Sequence, residues 1–398
     1  MAHRGEALEQ ELIRGALTGR ERSLIRILFF HTQDEADYRN LFDGLDPDQE
    51  NICFLLTLSV LGFSTGWARF PAELVPRLKG IHRYYQVDAA VKFAWLAGIL
   101  KCLEAEGIPV MHLKGGAMYV YYRKGSPRIM DDFDAAVPAE LFDKAASLLE
   151  AQGCERVSSS PWADTFQATV LGRRTSIDLH RRILKNAPDA DRPIREHALH
   201  AVFQGMPVCV PSPADMFLHL LDNQARNLFF HEHPGRRIKW ISDCCRILEA
   251  YPDSVTPAIL RELSERCHDT FHVTLALRIL SARLPEIFPR RDVEEAFPVS
   301  REYYDWIVRG IAFRDSYTAV CAYPGNGPLT PRRFCVSLRR RVNEYRLLSP
   351  EFRAQGAPVS FVSFFCMQTG CRNPGEALKK YLPRLRLREK DAFSSSES

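Results

Sequence analysis

The chain has 398 residues, which is enough for two or three domains and a large buried core. Hydrophobic residues make up 46% of it and charged residues 26%, as in an ordinary soluble globular protein. The net charge of +4 neither requires nor excludes a nucleic acid partner. The longest apolar segment, residues 52–63, is too short to span a bilayer, so no membrane span is expected.

The cysteines and the N-terminal residues indicate a cellular location. The eleven cysteines are irregularly spaced and include no Cys-x-x-Cys pair, which argues against a zinc site. The first residues are polar and helical and lack the apolar stretch of a secretory leader. We therefore expect a reducing, cytoplasmic location, with Cys53, Cys102, Cys244 and Cys245 as buried reduced thiols.

Residues 1–85 are predicted to form an N-terminal helical cap. Leu8 and Leu12 are one helical turn apart, and the apolar run at residues 52–61 predicts a buried core helix. A longer amphipathic helix is predicted at residues 86–106. This part of the sequence indicates a fold and no particular chemistry.

A Lys-Gly-Gly turn is predicted to join a strand at residues 110–113 to a short helix that begins around Ala117. Gly115 and Gly116 permit either a positive φ or the close approach of another backbone. The free N–H groups and the dipole of a helix N-terminus attract phosphate, and Lys114 adds a positive charge there. The sequence favours a phosphate-binding corner, with a surface lysine as the structural alternative for Lys114.

Two carboxylates, Asp132 and Asp134, stand at the start of a second predicted strand at residues 133–137. Alternate residues of a strand point to the same face, so both side chains are expected to leave one face about 7 Å apart. Carboxylates at that spacing can converge on the divalent ions of a two-metal phosphoryl-transfer site. The structural alternative is a solvated strand entry with acidic turn residues.

Two further strands are predicted at residues 166–171 and 175–180, and in the second of them Asp178 and His180 share a face. A third carboxylate on a neighbouring antiparallel strand can complete a metal shell or accept the proton of an attacking hydroxyl. Asp178 can also be an ordinary edge-strand carboxylate. His180 can orient Asp178, contact phosphate or lie half-buried in the strand.

Four segments are therefore predicted in chain order. They are an N-terminal helical cap (1–85), an α/β core (86–212), a C-terminal helical domain (213–325) and an irregular basic region (326–398). His231 and His233 are expected to be exposed loop histidines. The basic clusters of the last region, at residues 332–333, 339–341 and 379–390, are solvated faces or a surface for RNA or an acidic partner.

Five segments, taken in order, resemble the uncharacterised nucleotidyltransferase family of the polymerase-β nucleotidyltransferase superfamily. They read HLKGGAMYVYY, PRIMDDFDAAVP, SIDLH, FLHLLDNQARN and RIKWISD. The residues at the family's motif positions are Lys114, Gly115, Arg128, Asp132, Asp134, Asp178, His180, His219, Lys239, Trp240 and Asp243. The resemblance covers residues 86–251 and departs from the family pattern at Asp131, where the family has glycine.

The resemblance implies an α/β (α+β) fold, a small mixed-sheet core flanked by N-terminal and C-terminal helical domains. It implies that Asp132, Asp134 and Asp178 are catalytic and bind Mg²⁺ (or Mn²⁺). The nucleotide- and phosphate-binding residues that it implies are Lys114, Gly115, Gly116, Arg128, His180 and Lys239. Residue by residue, Arg128 can instead pair with Asp131 or Asp132. His219, Lys239 and Asp243 can instead be a packing histidine and a helix-surface ion pair.

We expect an enzyme, a metal-dependent nucleotidyltransferase that moves an NMP group from an NTP to a hydroxyl of a small molecule or protein and releases pyrophosphate. One alternative is a catalytically inactive nucleotidyltransferase-like protein that senses a nucleotide or binds a partner. Another is an enzyme that adds nucleotides to RNA ends. Nucleic acid is the less favoured partner, because no aromatic-and-glycine recognition motif accompanies the basic clusters.

Overall fold

A computed structural model describes most of the chain. The described residues are 2–122, 126–130, 132–160, 162–184, 191–203, 205–230, 237–321, 342, 343, 345, 361, 362, 373, 375 and 376. The chain divides into two compact units. The larger unit comprises Gln10–Ala225 and His233–Pro298, and the smaller comprises Met1–Glu9, Arg226–Glu232 and Val299–Ser398.

The first part of the chain is helical, as predicted. The helices are α1 Ala2–Gly15, α2 Gly19–Phe30, α3 Glu35–Phe42, α4 Ile52–Thr65 and α5 Val75–Ala105. A capping box starts α2, because Thr18 and Glu21 each accept a hydrogen bond from the other's backbone N–H. Asn51 caps α4, most of which is buried. Helix α5 begins at Val75 rather than at Gln86, so the predicted boundary after residue 85 falls inside it. The four predicted segments stay a prediction.

Seven strands in the described residues form one sheet. They are β1 Met111–Leu113, β2 Asp132–Ala136, β3 Glu155–Ser159, β4 Ala163–Val170, β5 Arg173–His180, β6 Leu199–Phe203 and β7 Met206–Val210. Their order across the sheet is β3-β4-β5-β2-β1-β7-β6. The pairs β1/β7 and β2/β5 are parallel and the other neighbours are antiparallel. The predicted mixed α/β fold is confirmed, and three strands (β3, β6 and β7) add to those predicted.

The direction of β5 corrects one expectation. The sequence predicted that Asp178 lies on a strand antiparallel to that of Asp132 and Asp134, which is wrong, since β5 runs parallel to β2. Helix α7 (Phe142–Ala151) carries the chain away from β2, and β3, β4 and β5 then form an antiparallel meander. A two-residue turn, Leu171–Gly172 with both φ values positive, closes its last hairpin and returns β5 parallel to β2.

The two faces of the sheet differ because strand residues alternate. Phe133, Phe166, Ile177 and Leu179 pack with apolar residues of α5 and α7 into a buried core. Asp132, Asp134 and Asp178 are adjacent to these residues in the sequence, so their carboxylates lie on the opposite face. The remaining helices are α6 Lys114–Met118, α8 Asp191–Glu196, α9 Pro213–Phe230, α10 Arg237–Ala250, α11 Pro257–Arg266, α12 Thr270–Arg283, α13 Arg290–Ala296 and α14 Arg301–Cys321.

The smaller unit has aromatic packing of its own. The Phe229 and Trp306 rings meet edge to face with centroids 5.2 Å apart, and the Tyr303 hydroxyl donates to the Glu9 carboxylate at 2.6 Å. The predicted basic clusters of residues 326–398, and also His231 and His233, lie outside the described residues. Within the described residues, no helix combines the length and the apolar character that crossing a membrane requires.

Buried His112 on β1 gives the fold a dependence on pH. Burial lowers the pKa of His112 to about 4, against 6.5 for an exposed imidazole. Between these values the unfolded chain binds a proton and the folded chain does not, so stability present above pH 6.5 is lost as the pH falls. Between pH 7.5 and pH 5, we expect the free energy of unfolding of wild type to fall by about 1–2 kcal/mol more than that of His112→Gln.

Urea denaturation at the two pH values measures this difference in the free energy of unfolding. His200→Gln is the matched control, because the His200 side chain is exposed. If the difference in the free energy of unfolding between wild type and His112→Gln is the same at both pH values, His112 is not held neutral in the folded chain.

Candidate active site

The parallel register of β2 and β5 brings the predicted carboxylates together. Asp134 lies directly opposite Asp178 in this register. Ligand atoms of Asp134, Asp178 and His180 all lie within 4.8 Å of one another, a spacing at which they could share one metal ion. The structure thus brings together three of the residues that the sequence singled out, on the face of the sheet away from the apolar core.

Asp134 is the central carboxylate of this group and is 3% exposed. Its Oδ1 accepts from the Lys114 ammonium at 2.5 Å and contacts His180 Nε2 at 3.0 Å. Burial opposes ionisation, but the Lys114 charge and the hydrogen bond from His180 hold the pKa of Asp134 well below its usual range. Asp134 is therefore an anion, and His180 donates to it from Nε2.

Burial lowers the pKa of His180, so the imidazole binds Asp134 in its neutral form. The hydrogen bond that the structure gives His180 is to Asp134 and not to Asp178, and the side chain is buried rather than half-buried. In this arrangement His180 orients the central carboxylate. Its predicted contact with phosphate stays a prediction.

Lys114 joins β1 to α6 and lies among the carboxylates. Its side chain is 24% exposed, so it is not a surface lysine. Burial acts to lower the pKa of Lys114, but the charge of Asp134 outweighs it and raises the pKa, with smaller contributions from Asp132 and Asp178. The lysine backbone has a φ of 39°, a left-handed value that a non-glycine residue adopts at some cost. The fold thus holds a positive charge at this corner.

Asp132 is half-buried, and its carboxylate differs from that of Asp134, which contacts both Lys114 and His180. Burial first, and then the charge of Asp134, raise the pKa of Asp132 to about 6. Lys114 and Lys239 offset part of this rise, and Asp178 adds to it. Above that pH Asp132 is ionised as well as Asp134, so negative charge accumulates at the site.

The two glycines after Lys114 allow close packing. Helix α6 begins at Lys114 rather than around Ala117, so Gly115 and Gly116 lie in its first turn. A Cβ at Gly115 would lie 2.8 Å from Arg128 Nη1, and one at Gly116 would lie 3.2 Å from the Phe133 ring. The sequence left two roles open for the glycines, a positive φ or the close approach of neighbouring atoms. The structure shows close approach at both glycines, and the positive φ is at Lys114 instead.

Gly115→Ala is expected to destabilise the larger unit by about 1–3 kcal/mol, because the new methyl group would displace the Arg128 guanidinium. Gly98→Ala is the matched control. A Cβ at Gly98 has open space on helix α5, so alanine there should be neutral or stabilise by up to about 1 kcal/mol. Urea denaturation measures both, and equal stability for the two variants would mean that the space at Gly115 is not restricted.

Arg128 binds Asp243 of helix α10 rather than Asp132. Its Nε and Nη2 donate to the two carboxylate oxygens at 2.9 and 2.7 Å, and the Tyr122 hydroxyl donates to Oδ1 at 2.7 Å. The Arg128 side chain is 11% exposed and that of Asp243 2%, so this is a buried pair and not a helix-surface one. Asp131, the other partner considered, lies outside the described residues. Phosphate binding by Arg128 stays a prediction.

Helices α9 and α10 bring two more predicted residues near the carboxylates. The charge of Lys239, on α10, lowers the pKa of Asp132. His219, on α9, is buried, and burial followed by the charge of Lys114 lowers its pKa to about 3. His219 Nδ1 has no hydrogen-bond partner among the described residues. His219 is thus a buried, neutral histidine, and Trp240 beside Lys239 is also buried.

A second group of ligand-type side chains was not predicted. Asp222, Asp269 and His272 have ligand atoms within 4.8 Å of one another, and all three are buried. His272 Nδ1 lies 2.8 Å from the Asp269 carboxylate. The signal in the sequence was the Asp-x-x-His spacing, which puts both side chains on one side of a helix turn.

Comparisons with known proteins identify the family of this chain. A family model described as an uncharacterised nucleotidyltransferase matches residues 58–284. One similar solved structure is that of an antigenic nucleotidyltransferase-like protein from Paracoccidioides brasiliensis. It is 12% identical with a TM-score of 0.33, and the match covers 56% of this chain and 96% of that one. A search of curated proteins found no match. Because the family model covers more than half of the chain, this protein belongs to the uncharacterised nucleotidyltransferase family.

Proposed function

We propose that the protein is a metal-dependent enzyme that transfers a nucleoside monophosphate from an NTP to a hydroxyl of a small molecule or protein. The observation that carries this proposal is the meeting of Asp134, Asp178 and His180 across two parallel strands. Lys114 lies beside them, where a triphosphate would need positive charge. Membership of the family supports the same reaction class.

The carboxylates fit a divalent ion such as Mg²⁺ or Mn²⁺. Both ions prefer carboxylate oxygen, and Asp132, Asp134 and Asp178 would hold them. The carboxylates of Asp132, Asp134 and Asp178 outnumber the two lysines whose charges reach Asp132, Lys114 and Lys239, and a divalent cation would balance the remaining negative charge. When bound, the ion supplies positive charge that neutralises the triphosphate.

Each residue then has a distinct task in the transfer. Lys114 binds the phosphates and offsets the charge of the departing pyrophosphate. Asp178 accepts the proton of the acceptor hydroxyl, whose oxygen attacks the α-phosphorus in line. The bond between the α-phosphorus and the oxygen that bridges to the β-phosphorus breaks, and pyrophosphate leaves with the bonding electrons. His180 holds Asp134 in place through its hydrogen bond.

Calorimetric titration with each NTP, with and without Mg²⁺, tests this function when it is followed by a pyrophosphate assay on the same samples. The proposal expects metal-dependent binding and pyrophosphate release in the presence of a metabolite and protein extract. Binding without turnover in that extract would support the nucleotide sensor instead. A parallel incubation uses labelled NTPs with total RNA and, separately, with the extract. Transfer of the label to RNA and to nothing in the extract would indicate the RNA-end enzyme.

A further inference from the structure

Helix α9 begins at the same edge of the sheet as the Lys114 corner. Strands β1 and β7 are parallel neighbours, so their carboxyl ends lie at one edge, where β1 leads into Lys114 and β7 leads into α9. The Tyr121 hydroxyl, shortly after α6, donates to the Pro211 carbonyl at 3.0 Å, which fixes the start of α9 beside α6. His219 lies in the second turn of α9, about 9 Å along the helix axis from Pro213. The fold therefore brings the first turns of α9 close to the Lys114 corner.

Three polar side chains of α9 form a buried stripe on one face of the helix. Asp215, His219 and Asp222 follow one another at intervals of four and three residues, and they are 7%, 5% and 6% exposed. Asp215 accepts from the Ser212 hydroxyl at 2.6 Å, and Asp222 lies 4.0 Å from His272. His219 differs, because its Nδ1 is buried without a hydrogen-bond partner among the described residues. Buried polar atoms normally have a partner, so we expect a bound molecule to supply one here.

The electrostatic neighbours of His219 belong mostly to the candidate active site. Burial has the largest effect on its pKa, followed by the charges of Lys114, Asp222 and Asp134, and then by His180. Lys114 and His180 lower the pKa and the two carboxylates raise it, and the net result is a neutral imidazole. His219 therefore lies within electrostatic range of the corner at which Lys114 meets the carboxylates, and the mechanism described above gives it no task.

A neutral imidazole at this position suits a phosphate group. One ring nitrogen of a neutral imidazole carries a hydrogen, and phosphate oxygens are acceptors, so an N–H at Nδ1 and a phosphate oxygen are matching partners. The negative charge of the phosphate strengthens such a bond. A neutral donor also adds no positive charge that would compete with the divalent ion for the carboxylates. The acceptor hydroxyl is a poorer match, because it needs a base for its proton and the lowered pKa makes His219 a weak base.

We propose that His219 is a further phosphate-binding residue, whose Nδ1–H donates a hydrogen bond to the triphosphate of the nucleotide donor. Lys114 supplies positive charge at this corner, and His219 supplies a directed hydrogen bond without charge. The bond stays in place while negative charge moves onto the departing pyrophosphate, and His219 keeps its proton throughout. The inference rests on the proposed function, and it adds one more residue that contacts the substrate.

Calorimetric titration of the full chain tests this contact without turnover. The ligands are a non-hydrolysable NTP analogue and inorganic tripolyphosphate, each with Mg²⁺. His219→Leu removes both ring nitrogens and keeps an apolar side chain, so we expect both ligands to bind about ten- to hundredfold more weakly than to wild type. Unchanged affinity for both ligands would overturn the proposal. A loss confined to the NTP analogue would also overturn it, because His219 would then contact the nucleoside.

A second variant and the stability of the first distinguish phosphate binding from a structural role. His219→Asn should bind both ligands more tightly than His219→Leu, because its amide N–H takes the position of Nδ1. His219→Leu replaces a buried nitrogen that has no partner among the described residues, so its urea midpoint should equal or exceed that of wild type. Equal binding by the two variants would mean that the N–H donor is not used, which would overturn the proposal.

His82→Leu is the matched control. His82 is also 5% exposed, but its Nδ1 lies 3.1 Å from the Ser59 hydroxyl, so this variant should lose stability and keep its affinity for the NTP analogue. If the urea midpoint of His219→Leu falls as far as that of His82→Leu, His219 is a structural residue and the proposal is wrong.

Turnover separates this inference from the function on which it rests. If wild type binds both ligands and no mixture releases pyrophosphate, the transfer function fails, whereas weaker binding by His219→Leu still supports the inference. If wild type releases pyrophosphate from NTP and His219→Leu matches it in rate and in affinity, the function stands and the inference fails. Absence of binding of either ligand to wild type would overturn both.

Discussion

The double variant Asp132→Asn, Asp178→Asn is expected to transfer nucleotide at least about a thousandfold more slowly than wild type. Both side chains are half-buried at the edge of the group around Asp134, and asparagine removes the charges that would hold the divalent ion and accept the proton. Single-turnover transfer from a labelled NTP measures the rate.

The same variant should fold as well as wild type or better. Ionised Asp132 is half-buried beside Asp134, and the raised pKa shows that this charge is disfavoured in the folded state. Thermal unfolding is thus expected at an equal or higher temperature. Asp143→Asn is the control, since this exposed carboxylate lies on α7, across the sheet. A variant that keeps full transfer activity would rule out the proposed mechanism, and one that unfolds would make the carboxylates structural.

Asp134 is a less suitable test of the same idea. It is buried with Lys114 and His180 as partners, so its removal would leave a buried ammonium without its carboxylate. A loss of activity in such a variant could come from unfolding. Substitution of the half-buried Asp132 and Asp178 tests catalysis without the loss of stability that is expected at Asp134.

Arg128→Met is expected to destabilise the larger unit by about 3–5 kcal/mol, because Asp243 would remain buried without its guanidinium partner. Arg128→Lys should lose much of the same stability, since an ammonium cannot donate to both carboxylate oxygens as the guanidinium does. Urea denaturation measures the free energy of unfolding of each variant.

The double variant Arg128→Met, Asp243→Leu should recover most of that loss, because neither buried charge remains. The Tyr122 hydroxyl would lose its acceptor, the Asp243 carboxylate. Arg192→Met is the control, because its pair with Glu196 is on the surface and should contribute less than about 0.5 kcal/mol. Equal losses for Arg128→Met and Arg192→Met would show that the buried pair is not needed for stability. In that case, phosphate binding would become the better explanation of Arg128.

The sequence predicted the strands whose residues alternate most clearly. Phe133 in β2 and Ile177 and Leu179 in β5 are buried and each is flanked by polar residues, and that pattern also assigned the carboxylates to one face. Strand β3 was missed because all of its residues are exposed, so no apolar face marked it. The parallel direction of β5 depends on how the chain returns from α7, which local pattern does not encode.

The candidate site was predicted residue by residue but not contact by contact. Strand spacing is enough to place Asp178 and His180 on one face. It cannot show that His180 binds Asp134, since that contact spans two strands 46 positions apart. Arg128 and Asp243 are 115 positions apart, and only the packing of α10 against the segment before β2 brings them together. The sequence also did not predict the left-handed φ of Lys114, because the two glycines that follow it are the residues that usually adopt a positive φ.

The central claim is that carboxylates of two parallel strands hold a divalent ion, and Mn²⁺ binding tests it most directly. Electron paramagnetic resonance can count the Mn²⁺ bound by the full chain in the presence of a non-hydrolysable NTP analogue. We predict bound Mn²⁺ in wild type and in Asp143→Asn, and its loss in Asp132→Asn, Asp178→Asn. Equal Mn²⁺ binding in all three proteins, or none in wild type, would contradict the claim.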